Sequence, residues 1–182
     1  MKLKVMNQKG QYNMTNIKFV NGDLLEATEN LILHQVNAQG MMGSGIALQV
    51  KKKWNKVYQS YKALCDTNLD SNLMGVAQTV GIGERKAVVN LFGQKNYGYN
   101  GQRLTDYEAL YRALESVSDM ARKYNLSVAI PSKLGSDRGG ADWNIVYSMI
   151  ESVFKNHTQP IVIYYLDGQE QKPQKQKELV LN

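Results

Sequence analysis

One cysteine, two histidines and three prolines are all that a chain of 182 residues holds of these types. The lone thiol, Cys65, excludes an internal disulfide framework. No run of apolar residues approaches the roughly 18 needed to span a bilayer. The opening MKLKVMNQKG is too polar for a signal peptide. These absences favour a cytoplasmic protein with no membrane partner. No helix-turn-helix, zinc-finger or base-stacking pattern is present, which argues against sequence-specific nucleic-acid binding. What is present is ordinary for a soluble globular domain, with 43% hydrophobic and 21% charged residues. The length suits one domain with a sizeable core. The net charge is +6 and the pI about 9.3. Basic residues gather loosely at Lys2, Lys4 and Lys9, and at Lys51, Lys52, Lys53 and Lys56. They read as solvated surface, or as attraction for an anionic ligand.

Hydrophobic spacing divides the chain into alternating strands and helices. Strands are predicted over Met1–Met6, Ile17–Val20, Leu31–Val36, Val76–Ile82, Ala87–Phe92, Ser127–Ile130 and Ile161–Leu166. A helix is expected from Ile46 to about Asp66, broken near Trp54. A long amphipathic helix is expected over Thr105–Tyr124, with Thr105 as N-cap and Glu108 completing a capping box. A last helix covers Trp143–Phe154. This alternation argues for an α/β sandwich with a mostly parallel central sheet. Residues 1–166 are read as a single domain, to which 1–16 could add an edge strand. Residues 167–182 form a Gln/Lys-rich tail expected to be mobile.

In parallel α/β folds, ligands sit outside the carboxyl ends of the strands. Four segments at strand ends stand out here: Asn21–Leu25, Leu33–Val50, Gly93–Tyr97 and Pro131–Trp143. The second and fourth are rich in glycine and run into helices. Gly40, Gly43 and Gly45 fall within six residues, which suggests positive φ or close approach of the backbone to another body. Two glycine-rich turns that each open a helix suit a ligand with more than one phosphate, or with a phosphate and a ribose.

Taken in order, Val20-Asn21-Gly22-Asp23-Leu24-Leu25, His34-Gln35-Val36-Asn37-Ala38-Gln39-Gly40, Gly43-Ser44-Gly45-Ile46-Ala47 and the Gly135–Trp143 loop resemble the macrodomains, a family that binds ADP-ribose. The resemblance covers about Ile17–Leu166 and is strongest for the branch holding ADP-ribose 1″-phosphate phosphatases and terminal ADP-ribose hydrolases. It implies a three-layer α/β/α sandwich with a mixed, mostly parallel central sheet, an ADP-ribose derivative as small-molecule ligand, an ADP-ribosylated macromolecule as a further partner, and neither metal nor cofactor. It assigns adenine recognition to Asp23 and the Leu24 amide, the distal ribose to Asn37, a first phosphate loop to Gly43, Ser44, Gly45 and Ile46, and a second to Leu134, Gly135, Ser136 and Gly139. Tyr165 would pack beside adenine.

The resemblance also supplies two chemistries. In the phosphatase, His34 at the strand end acts as base or nucleophile on a terminal phosphoryl group, paired with Asp142. In the hydrolase, Lys95 attacks the ribose anomeric carbon, helped by an aspartate whose position here reads Gly139. A non-catalytic ADP-ribose reader is the third expectation. Plainer roles stand beside each of these: a turn or cap for Asp23, a hydrogen bond at the sheet end for His34, a cap of the following helix for Asp142, a surface lysine for Lys95, a core or surface tyrosine for Tyr165. Where relatives carry Gly-Cys-Gly, this chain has Gly135-Ser136-Asp137, with Arg138 next to the added charge. His157 reads as solvent-exposed, and Cys65 as a structural residue away from the loops.

Overall fold

A computed structural model describes residues 5–6, 12–13, 16–98 and 101–168. Near the amino terminus, β1 (Val5–Met6) pairs antiparallel with β2 (Tyr12–Asn13) in a two-stranded sheet of its own. The remainder builds one six-stranded sheet from β3 (Ile17–Asn21), β4 (Leu31–Asn37), β5 (Ala77–Gly83), β6 (Lys86–Gln94), β7 (Val128–Pro131) and β8 (Ile161–Tyr165). The order across it is β3-β8-β7-β4-β6-β5, and every neighbouring pair is parallel except β5 with β6. The strands expected at Met1–Lys4 and the tail beyond Gly168 lie outside the described residues.

Strand β4 explains the layering. Six of its seven residues are buried, because helices cover both faces of a parallel sheet. Alternation sends Leu31 and Leu33 to one face and Ile32 and Val36 to the other. The first pair joins a cluster with Leu110, Leu114 and Val117 of α4 (Tyr107–Tyr124) and Val146 and Ile150 of α5 (Trp143–Val153). Ile32 packs with Val50 of α1 (Gly45–Lys53) and Val57 of α2 (Asn55–Thr67). Val36 packs with Tyr61 of α2 and Leu73 of the short α3 (Asp70–Leu73). Among the described residues no helix is long and apolar enough to cross a membrane.

The break expected near Trp54 is present: Trp54 leaves helical geometry at φ −132°, ψ 75° between α1 and α2. The cap of α4 differs from the expectation. Asp106, not Thr105, is the N-cap, accepting from the Ala109 amide at 2.9 Å, and Glu108 pairs with Arg112. Thr105 is buried and its hydroxyl is engaged elsewhere, as described below. His157 is also corrected: it is buried, and its imidazole lies 2.9 Å from the Ser118 hydroxyl. It lies between α5 and β8, against Ser118 of α4, which local polarity in Asn156-His157-Thr158 does not reveal.

Candidate functional site

The five parallel strands deliver their carboxyl ends to one edge of the sheet, and backbone hydrogen bonds tie the departing segments together. Gly22 N–H donates to Tyr165 O at 2.8 Å, and Ser132 N–H to Tyr164 O at 2.7 Å. Ala38 N–H donates to Lys95 O at 3.2 Å, while Leu104 and Thr105 N–H both reach Gly139 O at 2.9 Å. The strand order therefore sets a linear sequence of features along the edge. Asp23 stands past β3, Tyr165 ends β8, the 132–142 loop follows β7, the 38–44 loop follows β4, and Lys95 follows β6. The two glycine-rich loops are neighbours in the middle. At ~4.8 Å per strand, the run from β3 to β6 spans about 19 Å.

The 38–44 loop is shaped by Asn37. This buried amide accepts from the Gln39 and Met41 N–H groups and the Tyr61 hydroxyl, and donates to Met41 O at 2.6 Å. Its polar atoms are thus occupied in holding the loop. Gly45 needs its residue type for φ +56°. Gly43 has no such need: a Cβ there would meet nothing within 4 Å, and its backbone is not left-handed. The fold itself does not demand glycine at 43, which leaves room for a body outside the fold. Beyond it, α1 starts at Ser44 with no side-chain cap and no acidic residue in its first turn. The N–H groups at Gly45 and Ile46 head a helix dipole open to an anion. The other two long helices that leave this edge are capped by Asp106 and Asp142.

The 132–142 loop is anchored from below. Leu134 is in the core. Thr105 Oγ1 donates to Gly135 O at 2.7 Å, and accepts from Gln35 Nε2, which also donates to Gln94. The Gln35 carbonyl oxygen is buried without a partner. A Cβ on Gly139 would overlap Thr105 Oγ1 and Gly135 O, so that glycine answers to packing inside the fold. Ser136 is half-buried, and Asp137 and Arg138 are exposed. Sequence reasoning missed Gln35, Gln94 and Thr105. The available signal was a glutamine within the buried strand LILHQVN, beside His34 and two residues before Asn37.

The remaining expected site residues separate into exposed and buried. Asp23 is exposed and caps a 3-10 turn over Leu24–Glu26, accepting from the Leu25 amide at 2.8 Å; Leu24 is buried. Tyr165 is half-buried. Asp142 is exposed and accepts from the Asn144 amide at 2.8 Å, while its own N–H donates to the Tyr107 hydroxyl. Lys95 is exposed.

His34 is corrected in position. It is the fourth residue of seven in β4, not its end, and is 1% exposed. It shares the face of Ile32 and Val36, under α1 and α2, where a polar ladder crosses three strands. His34 Nε2 donates to Asn90 Oδ1 at 2.6 Å, Asn90 Nδ2 donates to Gln78, and Gln78 Nε2 to Ser60 O. Nδ1 is a buried acceptor with no partner. Burial pushes the imidazole down to about 4, against the opposing effect of its hydrogen bond to Asn90. Cys65 is corrected too: it is half-buried beside the 38–44 loop, and a Cβ on Gly40 would lie 3.6 Å from it. Burial raises its thiol above the usual range. No group of three or more His, Cys, Asp or Glu residues able to hold a metal occurs among the described residues.

A three-layer sandwich with paired glycine-rich loops at the carboxyl edge is the arrangement in which α/β proteins take ligands at the strand ends. No model of a protein family matches the sequence. The chain is 31% identical over 141 residues to the DNA ADP-ribosyl glycohydrolase of Mycobacterium tuberculosis, covering 76% of this chain and 39% of that protein. It spans about two fifths of the length of the curated glycohydrolases it matches. It is 27% identical over 123 residues to the ADP-ribose 1″-phosphate phosphatase of Candida glabrata, covering 59% of this chain and 68% of that protein. The solved macrodomain of Mycobacterium tuberculosis DarG superposes with a TM-score of 0.70 at 28% identity, over 81% of this chain and 96% of that one. The chain has the macrodomain fold.

Proposed function

We propose that the chain binds ADP-ribose along the carboxyl edge and cleaves the bond joining ADP-ribose to a modified macromolecule, with Lys95 as the attacking group. The observation that carries this is the order of parts along the edge. An acceptor for an amine stands at one end, two phosphate-sized cradles lie in the middle, and an exposed lysine stands at the other. The span of about 19 Å, from ~4.8 Å per strand, suits an extended dinucleotide-like ligand. Asp23 accepts at most part of its hydrogen bonds from Leu25, so its carboxylate keeps capacity for the adenine amine. The first cradle offers the open amides at the start of α1, and the second the 132–142 loop with Gly135 and Ser136.

In the reaction, the Lys95 amine gives up a proton to a carboxylate and forms a bond to the anomeric carbon while the bond to the acceptor breaks. The acceptor leaves with that electron pair and takes a proton. Water then adds to the same carbon, releasing ADP-ribose and the free amine. Asp142 and Asp137, exposed on the facing loop, are the carboxylates at hand for proton transfer. The glycohydrolase likeness supports DNA as the modified macromolecule.

Removal of the terminal phosphate of ADP-ribose 1″-phosphate is the second reading, supported by the likeness to the Candida glabrata phosphatase. It asks His34 to meet a phosphoryl group, and weighing against it are the burial and the Asn90 bond of that ring. The test is turnover of an ADP-ribosylated oligonucleotide, an ADP-ribosylated protein and ADP-ribose 1″-phosphate by wild type, Lys95→Ala and His34→Gln. Lys95→Ala should lose at least a hundredfold on the macromolecular substrate, with ADP-ribose affinity kept within threefold. Wild-type turnover by Lys95→Ala would refute the lysine mechanism. Phosphate release that depends on His34 alone would transfer the function to the phosphatase.

A further inference from the structure

Helix α1 touches both halves of the candidate site. Ile46, Val50 and Lys53 follow one another at steps of four and three residues, so they share one face of it. Ile46 and Val50 pack in the apolar cluster that holds Leu24 and Leu25, in the turn that Asp23 caps. Lys53 completes that face at the far end of the helix. Its ammonium donates to Leu25 O at 2.8 Å and to Glu26 Oε1 at 2.6 Å, and lies 5.0 Å from the centre of the Trp54 ring. The Glu26 side chain is 75% exposed, and an ion pair of that kind contributes little. The bond to Leu25 O is the one that fixes the geometry. Two further ties reach the same segment from the sheet. Lys86 of β6 donates to Ala27 O, and the Tyr164 hydroxyl of β8 donates to Glu29 at 2.9 Å. Lys53 differs from both in joining the segment to the helix whose first amides form a phosphate cradle.

We propose that Lys53 is a positioning residue that sets the spacing between the Asp23 turn and the start of α1, so that the site selects ligands in which adenine and a diphosphate are joined. The inference rests on the reading that Asp23 takes the adenine amine and the first amides of α1 take a phosphate. Lys53 touches neither group of the ligand. It acts through α1, which at 1.5 Å per residue is a strut of about 13 Å. A tilt at the Lys53 end moves the amides at the other end. With Lys53 seated on Leu25 O, turn and helix move as one body, and the second half of a joined ligand meets its half-site already in register. A linked ligand gains over its separate halves only while the two half-sites keep the matching distance. Fragments that occupy one half-site do not sense that distance.

Fragment binding separates this role from a merely structural one. Adenosine, inorganic pyrophosphate and ADP-ribose are titrated by NMR against wild type, Lys53→Met, Lys53→Arg and Lys86→Met. Lys53→Met keeps an apolar stem beside Trp54 and removes the donor. It should weaken ADP-ribose about tenfold, and adenosine and pyrophosphate less than twofold each, because only the joined ligand depends on the spacing. Lys53→Arg, which retains a donor for Leu25 O, should return ADP-ribose to within threefold of wild type. Lys86→Met, which removes a bond to the same segment from the sheet side, should leave all three ligands within twofold. Equal losses of adenosine and ADP-ribose in Lys53→Met would mean that the lysine only braces the turn. An unchanged ADP-ribose affinity in that variant would reduce Lys53 to a surface ion pair. Either result overturns the proposal. Wild type that binds ADP-ribose no more tightly than adenosine would instead refute the reading of the edge, before any variant is compared.

Discussion

His34 shows what burial does to a titratable side chain. Its ring is neutral across the physiological range because burial holds its value at about 4, while the same ring in the unfolded chain titrates near 6.5. Between those values the unfolded state binds a proton that the native state refuses, so stability falls as pH drops from 6.5 towards 4. The loss attributable to this residue is on the order of 3 kcal/mol at the acid end. Urea unfolding of wild type and His34→Gln at pH 7.0 and 4.5 reads it: the variant should show the shallower acid loss. Identical losses in the two proteins would mean that the ring is not held neutral by the fold. At this scale the sequence supplied the residues but not their surroundings. His34 and Asp142 both look chemical in a one-dimensional reading. Only the paired register of β4 with β6 brings Asn90 to the first, and only the start of α5 occupies the second.

At the scale of elements, the cap of α4 and the second loop are one device. Because Asp106 takes the capping role, Thr105 turns inward and holds Gly135 O. Thr105→Val removes that donor and leaves Gly135 O with the Ala141 amide alone, at a cost of about 1 kcal/mol. ADP-ribose affinity should fall several-fold with it, as the loop loosens. Asp106→Ala should cost about 1 kcal/mol of stability and leave affinity unchanged. Thermal unfolding with calorimetry on both variants checks this. Equal affinities for the two would show that Thr105 stabilises the fold without shaping the loop. Helix and strand positions were legible because periodicity survives in β4, α4 and the Trp54 break. The cap was not, since Thr105 and Asp106 are both good caps and the choice between them is made by Gly135 and Gln35, distant in sequence.

For the molecule as a whole, strand order converts separate motifs into one ordered edge. Asp23 and Lys95 are 72 residues apart in sequence but four strands apart along the sheet, an estimated 19 Å at ~4.8 Å per strand. If adenine sits at the β3 end, Asp23→Ala should weaken AMP and ADP-ribose by the same factor, about tenfold, in line with one lost hydrogen bond to a charged group. Calorimetry with both ligands measures it. A loss for ADP-ribose with none for AMP would put the adenine somewhere else on the molecule.

By itself the sequence determined the layers, the elements and the two glycine-rich turns, because these follow from spacing of apolar residues and from backbone freedom, both local properties. The tertiary structure alone decided which polar groups are free to meet a ligand. It buried His34 beneath α1 and α2, spent Asn37 and Thr105 on holding loops, and left Lys95 exposed. Those outcomes depend on contacts between strands and helices far apart in the chain, where solvent exclusion and competing hydrogen-bond partners, rather than residue type, set what a side chain can do.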